Sequence, residues 1–286
     1  MVESRLQQAA KGFERGAAAL CCPLCRGGMA VSGGAALRCE QGHSFDLSAR
    51  GYVNLLGKAK PGAYDKELFL SRRAVMEQGF YDELLGEIKA IIKEYAPGKA
   101  IRVLDAGCGE GWYLRQLSQD AQLPEGCEYF GVDIVKDAVQ LAARDGAGVN
   151  WCVANLARLP LADRSMDIIL NLLTPANYEE FKRVLRPEGL IVKAVPGNEY
   201  LREIRECVAG QLMRKQYSNR EVMEHSTENI RVLQRRRIYR RHPLTPAQWH
   251  DFLRMTPLTA GADISAIPSD RTDHITIDLE LITGRL

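Results

Sequence analysis

Four residues that can bind a metal ion lie close together near the start of the chain. Cys22 and Cys25 are separated by two residues, and Cys39 and His43 follow with three residues between them. Thiolate and imidazole groups in this number are the ligands of tetrahedral zinc, and four protein ligands make such a site structural, because no position stays open for a substrate. A redox pair or unrelated thiols are the alternatives, but the second Cys/His pair at a ribbon-like distance favours zinc. Cys21 is one residue out of register and is not expected to bind the ion.

A glycine-rich segment further along the chain has the composition of a cofactor-binding loop. The segment Asp105-Ala-Gly107-Cys-Gly109-Glu110-Gly111 directly follows a short apolar strand and begins a helix. Glycines let the backbone approach a ligand closely, and a helix N-terminus favours an anionic group. Asp133 ends the next strand, where a carboxylate can bind the hydroxyl groups of a ribose. A loop of this kind could, by itself, also serve a nicotinamide cofactor.

Three details favour S-adenosylmethionine over a nicotinamide cofactor. The charge of Asp105 suits the cationic amino acid part of S-adenosylmethionine, and the third glycine follows the second by two residues, not three. The segment 154–160 also resembles the adenine-contacting segment of class I methyltransferases, with Asn155 where an aspartate is frequent, although Asn155 could be only a turn residue. We therefore predict that the binding site for S-adenosylmethionine consists of Asp105, Gly107, Gly109, Glu110, Gly111, Asp133, Asn155 and Leu156.

Strands and helices alternate from about residue 100, which places these residues at one edge of a parallel sheet. Short apolar strands are predicted at 101–104, 129–132, 149–153, 166–170 and 190–195. This alternation is typical of α/β proteins with a doubly wound, Rossmann-like sheet, whose ligands bind at the carboxyl ends of the strands. We predict a class I S-adenosylmethionine methyltransferase fold with an N-terminal zinc-ribbon-like module.

The predicted organisation has three parts. An N-terminal helical extension occupies residues 1–20, the zinc-binding module occupies 21–60, and the methyltransferase domain occupies 61–286. The methyltransferase domain is expected to contain a helical lead-in at 61–98 and a basic insert at 198–243.

The charge of the chain is unevenly distributed. The 286 residues have a formal net charge of only +2, but residues 1–60 hold eight Lys/Arg against four Asp/Glu, and residues 201–245 hold eleven against five. Basic segments suit a polyanionic partner. The candidates for RNA contacts are Arg235, Arg236, Arg237, Arg240 and Arg241, although the same residues could form a solvated strand edge.

No apolar run approaches the ~20 residues that cross a bilayer, and the N-terminus lacks the apolar centre of a secretory signal, so we expect a cytoplasmic protein with no membrane partner.

Motifs across the chain resemble those of one known family. They are Cys22-Pro-Leu-Cys25, Gly42-His43-Ser-Phe45-Asp46, Gly51-Tyr52-Val53-Asn54-Leu55-Leu56, and the stretches 105–113, 158–160, 186–189 and 255–257. In these stretches the sequence resembles the 23S rRNA guanine-N1 methyltransferases called RlmA or RrmA. The resemblance implies methylation of N1 of a guanine in a 23S rRNA hairpin near the peptide exit tunnel, RNA recognition by the zinc module, and a homodimer. The stretch 64–69 with Arg72 and Arg73 looks closer to the Gram-positive branch, which targets the neighbouring guanine and bears on macrolide resistance.

Candidate substrate contacts follow the fourth predicted strand. Asn171, Thr174 and Pro175 could receive the edge of a guanine, which must leave its hairpin stack to enter a pocket. The sequence does not identify a general base: Glu110 and Tyr113 are possible, but a packing or cofactor-side role suits each of them as well. Two other functions stay open, namely a methyltransferase for another RNA or a small molecule, and a zinc-containing RNA-binding protein with an inactive methyltransferase fold.

Overall fold

An eight-stranded sheet forms the centre of the molecule in the computed structural model, which describes residues 3–56, 66–146, 148–209, 218–268 and 272–286. The strands within these residues are β1 (Met29–Ser32), β2 (Ala36–Cys39), β3 (Ser44–Asp46), β4 (Tyr52–Asn54), β5 (Arg102–Ala106), β6 (Glu128–Asp133), β7 (Val149–Val153), β8 (Met166–Leu172), β9 (Leu185–Pro196), β10 (Arg231–Pro243) and β11 (His274–Arg285). The α-helices of the same residues are α1 (Arg5–Arg15), α2 (Lys66–Glu77), α3 (Asp82–Tyr95), α4 (Trp112–Ser118), α5 (Lys136–Asp145), α6 (Tyr178–Val184), α7 (Arg202–Val208), α8 (Arg220–Asn229) and α9 (Pro246–Met255). None of the helices described is both long enough and apolar enough to span a bilayer.

The order of the strands confirms the predicted doubly wound sheet. The spatial order is β10-β11-β9-β8-β5-β6-β7-β4. The six strands from β4 to β9 run parallel to their neighbours, and β11 and β10 add two antiparallel strands at one edge. The chain reverses its direction of winding between β5 and β8, so a crevice opens beyond the carboxyl ends of these two strands, where ligands of such sheets bind.

Alternate residues of the central strands enter two separate cores. Val103 and Ile168 pack on one face of the sheet with the apolar sides of α3, α4 and α9. Leu104 and Ile169 pack on the opposite face with α1 and α6. This alternation is the two-residue period expected of strands that are buried on both faces, and it holds the sheet rigid beneath the crevice.

The N-terminal residues are divided between the sheet and a small separate layer. Helix α1 begins with a capping box formed by Ser4 and Gln7, and its Phe13 is fully buried against the sheet. Strands β1 to β3 then form a three-stranded antiparallel sheet. The chain returns to the large sheet as β4, which pairs in parallel with β7. The predicted boundary at residues 60 and 61, and Tyr64 and Asp65 of the stretch 64–69, lie outside the described residues.

The basic segment 198–243 contains a long strand of the large sheet. Strand β10 pairs with β11 along its whole length apart from one irregularity between Val232 and Gln234. Only Ile238 of β10 is buried. The segment was predicted as a basic insert in which the strand and helix alternation stops, with a solvated strand edge as the alternative for its arginines. The structure shows that strand, whose many arginines leave no apolar alternation in the sequence.

Candidate active site and zinc centre

The predicted zinc ligands lie together at one end of the three-stranded sheet. The ligand atoms of Cys22, Cys25, Cys39 and His43 all lie within 4.8 Å of one another. The Cys25 and Cys39 sulfurs are 3.6 Å apart, and His43 Nδ1 lies 3.3 Å from Cys39 Sγ. Ligands of one tetrahedral zinc, with bonds of about 2.0 to 2.3 Å, are separated by similar distances. These four residues therefore fit a structural zinc ion, and Cys21, which is not part of the cluster, pairs through its backbone with Pro160 and Gly28.

The glycine-rich loop is bound closely to its surroundings. The backbone amides of Gly107 and Cys108 donate to the Val132 carbonyl, and the Gly109 amide donates to Asp133 Oδ2 at 2.9 Å. Gly107 has φ of 91°, and a Cβ at this position would lie 2.6 Å from the Thr174 hydroxyl. The loop is therefore connected to the end of β6 and lies directly beside the segment that follows β8.

The third glycine of the loop has a packing role. A Cβ on Gly111 would lie 2.4 Å from the Trp151 ring, so this glycine lets α4 pack tightly on the sheet. Gly111 does not line the cavity at the crevice, whereas Gly107, Gly109 and Glu110 do. The prediction of a direct cofactor contact by Gly111 is therefore corrected to a contact with β7.

Asp105 is a buried acid without a compensating positive charge. Its residue is 2% exposed at the end of β5. Burial, and after it the negative charges of Asp133 and Glu110, raise the pKa of the Asp105 carboxyl group to about 8. None of the described groups that act on this pKa carries a positive charge. A bound cation would favour the charged carboxylate, and S-adenosylmethionine supplies one in its amino acid part.

Asp133, Asn155 and Leu156 line the same cavity as Asp105, and their side chains suit a ribose and an adenine. Asp133 Oδ1 accepts from the Val135 amide at 2.8 Å, which holds the carboxylate at the cavity. The Asn155 side chain accepts from the Ala157 amide at 2.9 Å, so Asn155 has the predicted turn role and also lines the cavity next to Leu156. The residues present therefore fit S-adenosylmethionine along one continuous wall.

Glu110 is not placed to act as a base. Its carboxylate accepts from Arg73 Nε at 2.9 Å and lies 3.3 Å from Arg115. Burial raises the pKa of Glu110, while Arg115 and Arg73 oppose the rise. Because Arg73 also pairs with Asp145, Glu110 forms the centre of an ion-pair network that joins α2 to α4 and α5.

The segment after β8 forms the side of the cavity opposite the predicted cofactor residues. Thr174 and Pro175, two of the predicted substrate contacts, line the cavity there. Asn171 is fully buried, and its amide group donates to the carbonyls of Ala106 and Pro175. The hypothesis that Asn171 receives a base edge is therefore corrected, because its side chain is used to hold the segment in place.

Comparison with known proteins agrees with this geometry. Residues 20–60 match a family model described as the RlmA N-terminal zinc ribbon, and residues 103–189 match a methyltransferase domain. A Bacillus subtilis protein named for 23S rRNA guanine-N(1) methylation is 36% identical over 269 residues, which span 92% of this chain and 95% of that protein. The 23S rRNA (guanine(748)-N(1))-methyltransferase of Streptomyces fradiae is 33% identical over 64% of this chain and 65% of its own length.

The chain belongs to the RlmA family of 23S rRNA guanine-N1 methyltransferases. The RlmA family model covers the ribbon with its four clustered ligands, and the methyltransferase model covers residues 103–189, so S-adenosylmethionine is the cofactor and zinc is the structural metal. A solved S-adenosylmethionine-dependent methyltransferase from Aquifex aeolicus is 20% identical, with a TM-score of 0.43, over 60% of this chain and 92% of that chain.

Sequence reasoning missed a second group of residues in this RlmA-family cavity. The cavity has a volume of about 650 Å³, and its lining also includes Tyr81, Tyr200, Met76, Met255 and Thr256. The hydroxyl oxygens of Tyr81 and Tyr200 are 2.6 Å apart. These residues come from segments far apart in the chain. Met255 and Thr256 lie in the stretch 255–257 that carries part of the family resemblance, but no local motif marks Met76, Tyr81 or Tyr200.

The arginines proposed for RNA contacts all have partners on the protein. The pairs are Arg235 with Glu280 (3.0 Å), Arg236 with Glu87, Arg237 with Asp278 (2.7 Å), Arg240 with Glu83 (2.9 Å) and Arg241 with His274 (2.6 Å). The first four side chains are still about half-exposed. The charge of these four arginines is therefore partly neutralised, and a phosphate must compete with an internal acid for each of the four.

Proposed function

We propose that the protein transfers a methyl group from S-adenosylmethionine to N1 of a guanine in 23S rRNA, in a hairpin near the peptide exit tunnel. The observation that supports this best is one continuous cavity, in which the cofactor wall from Asp105 to Leu156 faces the substrate segment at Thr174 and Pro175. The target we propose is the guanine that corresponds to position 748, for which the Streptomyces fradiae relative is named. Because rRNA is the substrate, we expect the protein to act in the cytoplasm.

Different residues of the chain bind the cofactor and position the base in this reaction. When bound, S-adenosylmethionine supplies an activated methyl group. Asp105 pairs with the positive charge of the amino acid part, and Asp133 binds the ribose. The segment 172–176 holds the flipped base against this wall, so that positioning removes much of the entropic barrier.

RNA binding outside the cavity is assigned to the zinc ribbon and to the half-exposed arginines of β10. Both lie in basic segments, and contacts to phosphates give affinity without sequence information. A homodimer, as in the family resemblance, would present two such surfaces to one folded RNA.

The test is methyl transfer from labelled cofactor to unmodified 23S rRNA, with the product mapped by primer extension. We expect one stop at the proposed guanine, because N1 methylation blocks base pairing. Asp105→Ala should abolish the stop, whereas Glu179→Ala, which removes an acid whose side chain is 89% exposed, should not. Cofactor binding without methylation of rRNA would leave the fold standing and refute the substrate. A stop at a different guanine would refute only the site.

A further inference from the structure

Three tyrosines from separate elements meet on the substrate side of the cavity. Tyr81 lies between α2 and α3, Tyr113 lies in the first turn of α4, and Tyr200 follows β9. All three line the cavity, and Tyr81 and Tyr200 share a hydrogen bond between their hydroxyl groups. Tyr81 is 1% exposed and Tyr113 is 7% exposed.

The hydroxyl group of Tyr113 is buried and has no hydrogen-bond partner among the described residues. Buried polar groups are almost always paired, so an unpaired hydroxyl on the wall of a cavity indicates that a ligand atom completes it. Tyr129 is a useful contrast, because its buried hydroxyl donates to the Leu117 carbonyl. Among the tyrosines that the structure describes, Tyr113 alone has a buried hydroxyl group without a hydrogen-bond partner.

The titratable groups near Tyr113 include residues from both sides of the cavity. The charged and titratable groups that act on it are Tyr200, Asp105, Glu110 and Arg72, and Tyr113 in turn acts on Tyr81. Asp105 belongs to the cofactor wall, while Tyr81 and Tyr200 belong to the substrate side. Burial raises the pKa of Tyr113 well above its usual range. The hydroxyl stays protonated at neutral pH, which makes it a hydrogen-bond donor and rules out the general-base role considered from the sequence.

We propose that the Tyr113 hydroxyl donates a hydrogen bond to O6 of the target guanine, with the Tyr81 and Tyr200 pair forming the adjoining wall for the base. This inference rests on the proposed function. In guanine, O6 is bonded to the carbon next to N1, so the negative charge that develops when N1 loses its proton is shared with O6. A hydrogen-bond donor to that oxygen stabilises the charge.

The reaction then balances without a charged base in the cavity. The N1–H bond breaks and the proton passes to water. The N1 electron pair forms the new bond to the methyl carbon, the bond between that carbon and sulfur breaks, and its electron pair stays on the sulfur, which becomes a neutral thioether. Tyr113 keeps its own proton throughout and acts only by stabilising O6.

The experiment compares Tyr113→Phe with the matched control Tyr129→Phe in the full-length chain. For each variant we would measure the Kd for S-adenosylhomocysteine by calorimetry, and kcat on unmodified 23S rRNA at saturating cofactor over a range of pH. We expect Tyr113→Phe to lower kcat by about 10- to 100-fold with an unchanged Kd, and to move the rising limb of the pH profile to higher pH. Tyr129→Phe should leave all three quantities close to the wild type.

A modified substrate gives a second readout that a purely structural role would not move. In RNA with 6-thioguanine at the target position, sulfur replaces O6 and accepts hydrogen bonds weakly. The substitution should slow the wild-type enzyme but cause little further loss in Tyr113→Phe, because both changes remove the same contact.

Three results would overturn the inference. An unchanged kcat in Tyr113→Phe would assign the hydroxyl to packing, and a weaker Kd with unchanged kcat at saturation would assign it to the cofactor. Equal 6-thioguanine effects in both enzymes would exclude the O6 contact. In these cases the wild type still methylates guanine and the proposed function stands, whereas a wild type that does not methylate rRNA would refute both.

Discussion

At the scale of single residues, Asp105 shows how burial prepares a site for a cation. Its carboxyl group has a pKa of about 8, raised first by desolvation and then by Asp133 and Glu110. Below pH 8 the cofactor-free protein holds a proton there that a cationic ligand must displace. Burial therefore disfavours the charged carboxylate until a cationic ligand pairs with it.

This argument predicts a pH-dependent cofactor affinity. Between about pH 5.5 and 7.5, where the amino group of the ligand stays charged, affinity should increase with pH by up to about tenfold per unit, since binding releases one proton. Calorimetry over this range checks the slope. Asp105→Asn should bind weakly at every pH with no such slope, and an equally steep slope in this variant would contradict the assignment.

Lys193 holds the segment that follows β8 in place through hydrogen bonds. Its ammonium group donates to Asn171 Oδ1 at 2.6 Å and lies 3.4 Å from the Thr174 carbonyl oxygen. Desolvation lowers the pKa of Lys193 to about 8, which is the cost of placing this donor inside the fold. The side chain is thus committed to holding the segment that lines the cavity.

Replacing Lys193 should lower kcat without changing the affinity for the cofactor. Lys193→Met leaves the buried Asn171 oxygen without its donor, so we expect a loss of about 1–3 kcal/mol in unfolding free energy and a lower kcat. The Kd for the cofactor should change little, because the cofactor wall is untouched. Chemical denaturation and single-turnover kinetics measure the two effects, with Lys182→Met on the surface of α6 as the control. An unchanged kcat would show that the segment does not need the lysine.

The predicted residues that the structure brings together share a local signal. The four zinc ligands form one cluster, and Asp105, Gly107 and Asp133 line one cavity. All of them occur at spacings that a turn or a strand end explains directly. Asn171 was misjudged because sequence shows that a polar residue follows a strand, but not whether its amide is already bonded within the protein. Tyr81 and Tyr200 could not be found, because only the packing of distant segments brings them together.

At the scale of elements, strand β10 of the basic segment is linked by hydrogen bonds to a residue beside the cavity. Arg237 makes two hydrogen bonds to Asp278 of β11, at 2.7 and 3.1 Å. Asp278 also accepts from the Glu199 amide at 2.9 Å, directly before Tyr200. One arginine proposed for RNA contacts is therefore part of the support of the cavity wall.

Two neighbouring arginines should then behave differently. Arg237→Ala leaves the fully buried Asp278 without its cation, and we expect a loss of about 2 kcal/mol in stability together with lower kcat. Arg235→Ala should instead reduce the slope of RNA affinity against salt concentration, with little change in stability. Thermal unfolding and RNA binding at several salt concentrations measure both. The reverse pattern would show that Arg237 is the RNA contact.

At the scale of the whole molecule, the zinc ribbon is attached to the cofactor site. Arg26, next to the ligand Cys25, donates to the Leu159 carbonyl at 2.9 Å, and the Cys21 amide donates to the Pro160 carbonyl. Both acceptors directly follow the segment with Asn155 and Leu156. The folding of the zinc ribbon is therefore coupled to the position of the segment that contains Asn155 and Leu156.

Removal of zinc should affect two functions to different degrees. A chelator should unfold the ribbon, because a module this small depends on its metal, and most RNA affinity should be lost. Cofactor affinity should fall by less than about tenfold, through the weakened contact of Arg26. Calorimetry with and without chelator, and the same measurements on Cys25→Ser, check this. Full RNA affinity after complete zinc removal would contradict the proposed recognition role.

The return of the chain through β4 has a practical consequence for engineering. The ribbon is inserted between α1 and β4, and both flanking elements belong to the methyltransferase core. A deletion of the whole N-terminal segment would strip the core of a helix and an edge strand, so it is the wrong way to obtain a ribbon-free enzyme. The ribbon instead joins the core through the two elements that flank it, α1 before it and β4 after it. Replacing only the part between them, by a short linker or by the ribbon of a relative, is the natural way to exchange RNA specificity while the catalytic domain stays intact.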